Sequence, residues 1–229
     1  MSKLILKISG EALKSDEYQV ANQNLDIILK TVEELKDTHQ IGIVIGGGNF
    51  FRGREHPDMN QVTADTIGML GTVMNALYVK DYLEKNNLKA VVSTPFEFPG
   101  LIEKYTNEEL KEKYNNGNII IFGGGVGQSG FSTDSGTILA CEILESDFIV
   151  KMTKVDGVYD SDPKINENAK KYKELSYQEV LDKKLKVMDS YAIQKCQNKN
   201  IKILVIDFKS YENIKKYFDG QNLGTIIGV

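Results

Sequence analysis

The sequence predicts an α/β fold in which a mostly parallel sheet is covered on both faces. Three observations carry that prediction. Continuous apolar runs of strand length recur along the chain, as in residues 3–8 (KLILKI), 41–45 (IGIVI) and 118–122 (NIIIF). Longer amphipathic stretches of helical period lie between them, the pattern of strands joined by crossover helices. No linker rich in Pro, Gly or Ser and no low-complexity tract divides the 229 residues, so one unit is expected.

The elements follow in order. Residues 3–8 form the first strand, and a helix over 25–36 takes Asn22 or Asn24 as its cap. The strand 41–45 stops at Gly46, Gly47 and Gly48. A long helix covers 65–85, then a strand 88–93 and a helix 107–114. The strand 118–122 also stops at three glycines, Gly123, Gly124 and Gly125. Residues 133–145 are helical and 147–152 a strand, and the Asp156-Gly157 pair marks a two-residue hairpin within 155–158. Helices at 177–183 and 190–198, a strand at 201–206, a helix at 211–218 and a strand at 225–228 complete the chain.

Composition excludes several classes. With 28 basic and 32 acidic residues the net charge is -4, which argues against a dedicated nucleic-acid binder. No apolar run reaches the ~18 residues of a membrane span. The opening MSKLILKISG lacks the apolar stretch and cleavage site of a signal peptide. Cys141 and Cys196 fall inside helices and read as buried thiols of a cytoplasmic protein, not as a disulfide frame or a metal site. Arginine occurs only at Arg52 and Arg54, in one short segment.

The glycines carry the first chemical signal. Of 20 in the chain, eight lie in 46–48 and 123–130, at the carboxyl ends of two strands. A strand, then glycines, then a helix lets bare N–H groups approach an anion. One such turn is as readily just a tight turn; two at equivalent strand ends favour phosphate. The string GVGQSG at 125–130 also matches the dinucleotide fingerprint, with Asp147 about twenty residues on. The match sits mid-chain, however, and its third glycine precedes the helix cap at Ser132. No Walker A loop is present.

Side chains near these turns allow two readings each. Lys7, ahead of Ser9-Gly10, can aim an ammonium at phosphate or can be a solvated strand lysine. Arg52 offers a planar fork to phosphate oxygens, or is a surface charge. Asp65, at the start of the long helix, can accept two sugar hydroxyls or simply complement the helix dipole. Ser132 or Thr133 caps the helix in which Asp134 can hold a lysine or Mg2+. Tyr159 and Asp162 form a turn or a wall of a nucleobase pocket. The stripe Met69, Leu70, Val73, Met74 and Leu77 is core or a contact between copies.

With these pieces placed, the chain resembles the bacterial uridylate kinases of the amino acid kinase superfamily. The matching stretches are KISGEAL at 7–13, VIGGGNFFRG at 44–53, GMLGTVMN at 68–75, FSTDS at 131–135, TKVDGVY at 153–159 and LKVMD at 185–189. The resemblance implies a three-layer α/β/α sandwich with a mostly parallel central sheet, the amino acid kinase fold, as one domain over 1–229. It implies transfer of the ATP γ-phosphoryl group to UMP with Mg2+, in a cytoplasmic homohexamer inhibited by UTP. Carried over residue by residue, Lys7, Ile8, Ser9, Gly10, Gly48 and Arg52 meet the ATP phosphates, and Thr153, Tyr159 and Asp162 meet its base and ribose. Gly47, Asp65, Val126, Gly127, Gln128, Ser129, Gly130, Phe131, Ser132 and Thr133 hold UMP. Lys7, Arg52 and Asp134 are the implied catalytic charges.

The chain also departs from the pattern. The family's acceptor loop reads close to GTGNPFFTTD, whereas residues 125–134 read GVGQSGFSTD. A proline is lost at Ser129 and a glycine gained at Gly130, which should loosen the loop. Residues 14–24 (KSDEYQVANQN) lack the glycines that many members carry in a segment tied to GTP activation, so such activation is not expected. The rival readings are a kinase for aspartate, glutamate or acetylglutamate, a non-catalytic nucleotide sensor and a dinucleotide oxidoreductase.

Overall fold

A computed structural model describes residues 1–221 and 223–229. Its eight strands are β1 (Ser2–Ile8), β2 (His39–Ile45), β3 (Ala90–Ser93), β4 (Ile119–Phe122), β5 (Phe148–Thr153), β6 (Glu174–Leu175), β7 (Lys202–Asp207) and β8 (Thr225–Ile227). They form one sheet in the order β3-β4-β2-β1-β5-β7-β8-β6. The pairings from β3 through β7 are parallel, β8 runs antiparallel to β7, and β6 pairs parallel with β8. The helices are α1 (Asn22–Leu35), α2 (Gln61–Lys85), α3 (Asn107–Asn115), α4 (Thr133–Leu144), α5 (Tyr177–Asp182), α6 (Ser190–Lys199) and α7 (Glu212–Phe218).

Strand alternation sorts the core into two layers. On β1, Leu4, Leu6 and Ile8 pack with Leu25, Val79 and Ile214 of α1, α2 and α7. Ile5 packs on the opposite face with Leu110, Ile138 and Ile193 of α3, α4 and α6. The sheet is therefore the middle of three layers. The same alternation puts Lys7 on the α4 face. Lys151 of β5 is its register partner and shares that face with Ile149. Burying this β1 face thus brings two lysines under α4. The strand order reverses at β1, between β2 and β5, and ligands of open α/β sheets bind outside the carboxyl ends of strands at such a point.

Three local expectations need correcting. Helix α1 starts at Asn22 with Ala21 as its cap, and neither asparagine caps it. The Asn24 side chain lies inside the first turn and donates to the Lys14 carbonyl at 3.1 Å. Helix α2 begins four residues earlier than predicted, because Asn60 accepts from the amides of Val62 and Thr63. Asp65 is therefore in the second turn, too far along to serve the helix dipole well. The Asp156-Gly157 pair makes no two-residue hairpin. That turn needs positive φ at both positions, and neither residue has it. Tyr159 instead bridges to Lys171 across a longer loop.

The helix expectations for the two cysteines hold. Cys141 and Cys196 are free, buried thiols in α4 and α6. No helix among the described residues is long and apolar enough to cross a membrane.

Candidate active site

Both glycine turns rest on α2. Asn75, fully buried in that helix, donates to the Gly46 carbonyl at 2.7 Å and exchanges amide hydrogen bonds with Asn49. Three residues earlier, Thr72 Oγ1 accepts the Gly124 N–H at 2.6 Å. The helix approaches closely because glycine stands where side chains would collide. A Cβ on Gly47 would lie 2.5 Å from the Gly68 carbonyl oxygen, and one on Gly123 would lie 2.9 Å from the Val73 Cα. Neither Thr72 nor Asn75 was singled out from sequence. Each reads there as an ordinary polar residue of a helix, and only its tertiary partner reveals its work.

The centre of the site is a charge cluster on the α4 face. Asp134, in the first turn of α4, accepts Lys7 Nζ at 2.9 Å and Lys151 Nζ at 3.3 Å on the same oxygen. Its other oxygen accepts the Asp189 N–H at 3.3 Å. Lys151 also donates to the Val187 carbonyl. Burial raises the Asp134 pKa, but the Lys7 and Lys151 charges outweigh it and the carboxyl ends below its usual range. For Lys151, burial and then the Lys7 charge win over the attraction of Asp134, and its pKa is lowered to about 8. Ser132 caps α4 by accepting the Asp134 N–H at 3.0 Å and donates to Asp189 at 2.5 Å. Sequence reading missed Lys151 and Asp189. The strand register that pairs Lys7 with Lys151 was the signal that could have found the first.

A cleft of about 760 Å3 opens beside this cluster, lined by Lys7, Ser9, Gly10, Gly47, Gly48 and Arg52, and by Asp65, Ser132 and Thr133. Ile8 is buried and contributes backbone only, its carbonyl accepting the Gly46 N–H at 2.9 Å. Arg52 is not a free fork. Its guanidinium holds Glu11 at 2.5 Å and donates to the Gly48 carbonyl at 3.2 Å, which fixes it against both strand-end loops. A second cavity, of about 430 Å3, is lined by Thr153, Tyr159 and Asp162 together with Lys151 and Val187. A third, of about 180 Å3, runs between Gly47, Asp65, Thr72, Gly125 and Phe131. Val126, Gly127, Gln128, Ser129 and Gly130 line none of these three. A further cavity of about 690 Å3 carries lysines and carboxylates together and, of the predicted residues, only Thr153.

Loop 125–131 is not left loose by its lost proline. The Asp65 carboxylate takes the Ser129 hydroxyl at 2.6 Å and the Gly130 N–H at 2.8 Å on one oxygen, and Gln61 at 2.7 Å on the other. These donors, Ser129 first, hold the Asp65 carboxyl below its ordinary value. Asp147, the acid a dinucleotide fingerprint would need, lies at the amino end of β5, the far end from the glycine turns.

Chemically, two ammonium groups gathered on one carboxylate beside bare amides suit a reaction in which oxyanions develop charge. Known proteins resemble the chain over their whole length. The chain is 40% identical over 229 residues to the uridylate kinase of Thermosipho melanesiensis, covering 98% of this chain and 97% of that protein. The crystal structure of the UMP kinase from Bacillus anthracis superposes with a TM-score of 0.94 at 33% identity, covering 99% of this chain and 96% of that one. That of the UMP kinase from Ureaplasma parvum superposes with a TM-score of 0.92 at 30% identity, covering 100% and 99%. Residues 2–207 match the amino acid kinase family, and to that family the chain belongs.

Proposed function

We propose that the protein is a UMP kinase, transferring the γ-phosphoryl group of ATP to UMP to give ADP and UDP. The observation that carries the reading is that Lys7, held by Asp134, shares one cleft with the first glycine turn and Asp65, while the adjoining cavity joins Gly47 and Asp65 to Gly125 of the second turn. The full-length likeness to uridylate kinases supports the acceptor.

A phosphate oxygen of UMP attacks the γ-phosphorus in line. The bond to the bridging oxygen breaks, and ADP leaves with the electron pair. The attacking phosphate is already mostly a dianion at neutral pH, with a second pKa of about 6, so no general base is needed. Catalysis then rests on position and on cations facing spread negative charge. Lys7 is the cation nearest the transferred group. Asp134 orients it and offsets the repulsion between Lys7 and Lys151. Glycine amides at Gly10, Gly47 and Gly48 face phosphate oxygens. Arg52, held by Glu11, closes the same wall. The cavity beside Thr153, Tyr159 and Asp162 suits the adenosine, and Asp65 with loop 125–131 suits the uridine.

Among the described residues no three His, Cys, Asp or Glu side chains gather to hold a metal. Asp134 is already engaged by two ammonium groups. This donor set fits a Mg2+ that would arrive on the ATP phosphates and be held by them, with Asp134 as the carboxylate of the charge cluster available to it. When bound, the ion neutralises phosphate oxygens.

The apolar stripe of α2 divides in the structure. Val73 is buried, whereas Leu70, Met74, Leu77 and Tyr78 are 40–52% exposed. Such a patch suits contact between copies in a cytoplasmic homohexamer. UTP, as a product-like pyrimidine nucleotide, is the expected inhibitor.

The test is a panel of acceptors (UMP, CMP, acetylglutamate, glutamate) with ATP and Mg2+. ADP should form with UMP; ADP formed only with an amino acid overturns the reading. Asp65→Ala should raise the KM for UMP at least about tenfold through lost charged hydrogen bonds, with a much smaller change in kcat.

A further inference from the structure

Asp65 is the acid proposed for the acceptor's sugar, yet the protein itself already satisfies both of its oxygens. The two sides differ in kind. Gln61, on Oδ1, is an exposed side chain one turn back on α2 and can swing into water. Ser129 and Gly130, both on Oδ2, belong to the glycine-bearing loop 125–131. Gly130 sits at φ +87°, a conformation that keeps its N–H on the carboxylate and that a side chain would strain. A proline at position 129 could offer neither hydroxyl nor N–H, so the serine is what makes the side-chain contact available.

A ribose that brings two hydroxyls needs both carboxylate oxygens and has to displace Ser129. A sugar that brings one hydroxyl can displace Gln61, take Oδ1 and leave Ser129 on Oδ2. Sites built to hydrogen-bond a hydroxyl ordinarily reject the analogue that lacks it by about 10⁴–10⁵, because a desolvated polar group is left unpaired. Here that group keeps a partner. We propose that the site phosphorylates dUMP as well as UMP, with the Ser129 hydroxyl, beside the Gly130 N–H, keeping the place of the missing 2′-hydroxyl on Asp65 Oδ2. The transfer step is unchanged: an acceptor phosphate oxygen bonds to the γ-phosphorus and ADP departs with the bridging oxygen. The inference rests on the proposed reading of Asp65 as the sugar acid.

The experiment compares kcat/KM for UMP and dUMP, with ATP and Mg2+, in the wild-type chain, Ser129→Ala and Ser129→Thr. The wild type should use dUMP within about 30-fold of UMP, far short of the discrimination a bare hydroxyl site gives. Ser129→Ala should widen the ratio about tenfold. UMP no longer displaces a competing donor, and dUMP leaves Oδ2 without the serine. Ser129→Thr keeps the hydroxyl and should keep the wild-type ratio. An unchanged ratio in Ser129→Ala, or no ADP from dUMP with the wild type, overturns the inference while leaving UMP turnover intact. Absence of turnover with UMP itself would instead sink the functional reading, and this inference with it.

Discussion

None of Gly46, Gly47 and Gly48 after β2 has a positive φ, whereas Gly124 and Gly125 after β4 sit at +86° and +59°. The two turns share a composition and a place at the sheet's edge, but their glycines answer different demands. In the first turn glycine permits contact, since α2 presses its backbone against Gly47. In the second, Gly123 likewise permits contact with α2, but Gly124 and Gly125 permit a left-handed path, and at Gly125 a Cβ would meet nothing within 4 Å. The first turn is clamped by Asn75 and Asn49 into a fixed wall. The second carries further left-handed glycines at Gly127 and Gly130 and hangs from Asp65, a carboxylate that a ligand can claim. A fixed wall suits the triphosphate, which must be held in line, and an adaptable one suits an acceptor that has to enter and leave.

The largest effect is expected where the two turns meet. Lys7 extends from β1, beside the strand that ends in the first, and Asp134 opens the helix after the second. Lys7→Ala should lower kcat by about 10²–10³, the scale of a lost preorganised cation or oxyanion donor. Asp134→Asn should approach that loss, because it leaves two neighbouring ammonium groups without their shared counterion. Steady-state rates at saturating ATP and UMP check both. A fall below about tenfold in either variant would break the picture of one reaction shared by two differently built turns.

Next in size is a pH effect at the same seam. Lys151 faces Lys7, Asp134, Asp189 and the Val187 carbonyl, and its pKa is lowered to about 8 from 10.5. Below pH 8 it is charged both folded and unfolded, and folding carries the full cost of burying it. Between about 8 and 10.5 the folded chain sheds the proton while the unfolded chain keeps it, so stability rises with pH through that window. Thermal melts of the wild type against Lys151→Met should show the rise only in the wild type. Activity should move the other way, kcat/KM falling above about pH 8 as the free enzyme loses a cation. Bound phosphates hold the proton on, so the fall in kcat should come at higher pH.

How far sequence could see follows from the same parts. Apolar strand runs and their glycine stops are local patterns, so seven of the eight strands were legible, while the two-residue β6 has too little length to register. Lys7 stands out because Ser9-Gly10 follow it, and Asp65 and Asp134 because each lies in the helix that follows a glycine turn. Lys151 does not, since a lysine inside FIVKMT looks like any outward strand residue until β5 pairs with β1. Asn60 is missed because the apolar pattern is read only from residue 65, four residues past the true helix start. The hold of Ser129 on Asp65 spans 64 residues and is a property of the folded state alone.

The smallest effects discriminate most sharply between the two turns. Gly47→Ala places a methyl against backbone atoms, 2.5 Å from the Gly68 oxygen and 3.0 Å from the Thr72 nitrogen. Backbone cannot rotate away, so about 1–3 kcal/mol of stability should be lost, the range for overpacking. Gly47→Asn, which is larger, should cost more. Gly125→Ala meets no neighbour and carries only the left-handed penalty of about 1–2 kcal/mol, offset in part by a stiffer unfolded chain. Asparagine tolerates that conformation better than alanine does. Gly125→Asn should therefore be more stable than Gly125→Ala, the reverse of the order at Gly47. Urea midpoints for the four variants read this directly. The same order at both positions would mean that the turns are built alike, and that the fixed and adaptable walls are not distinct.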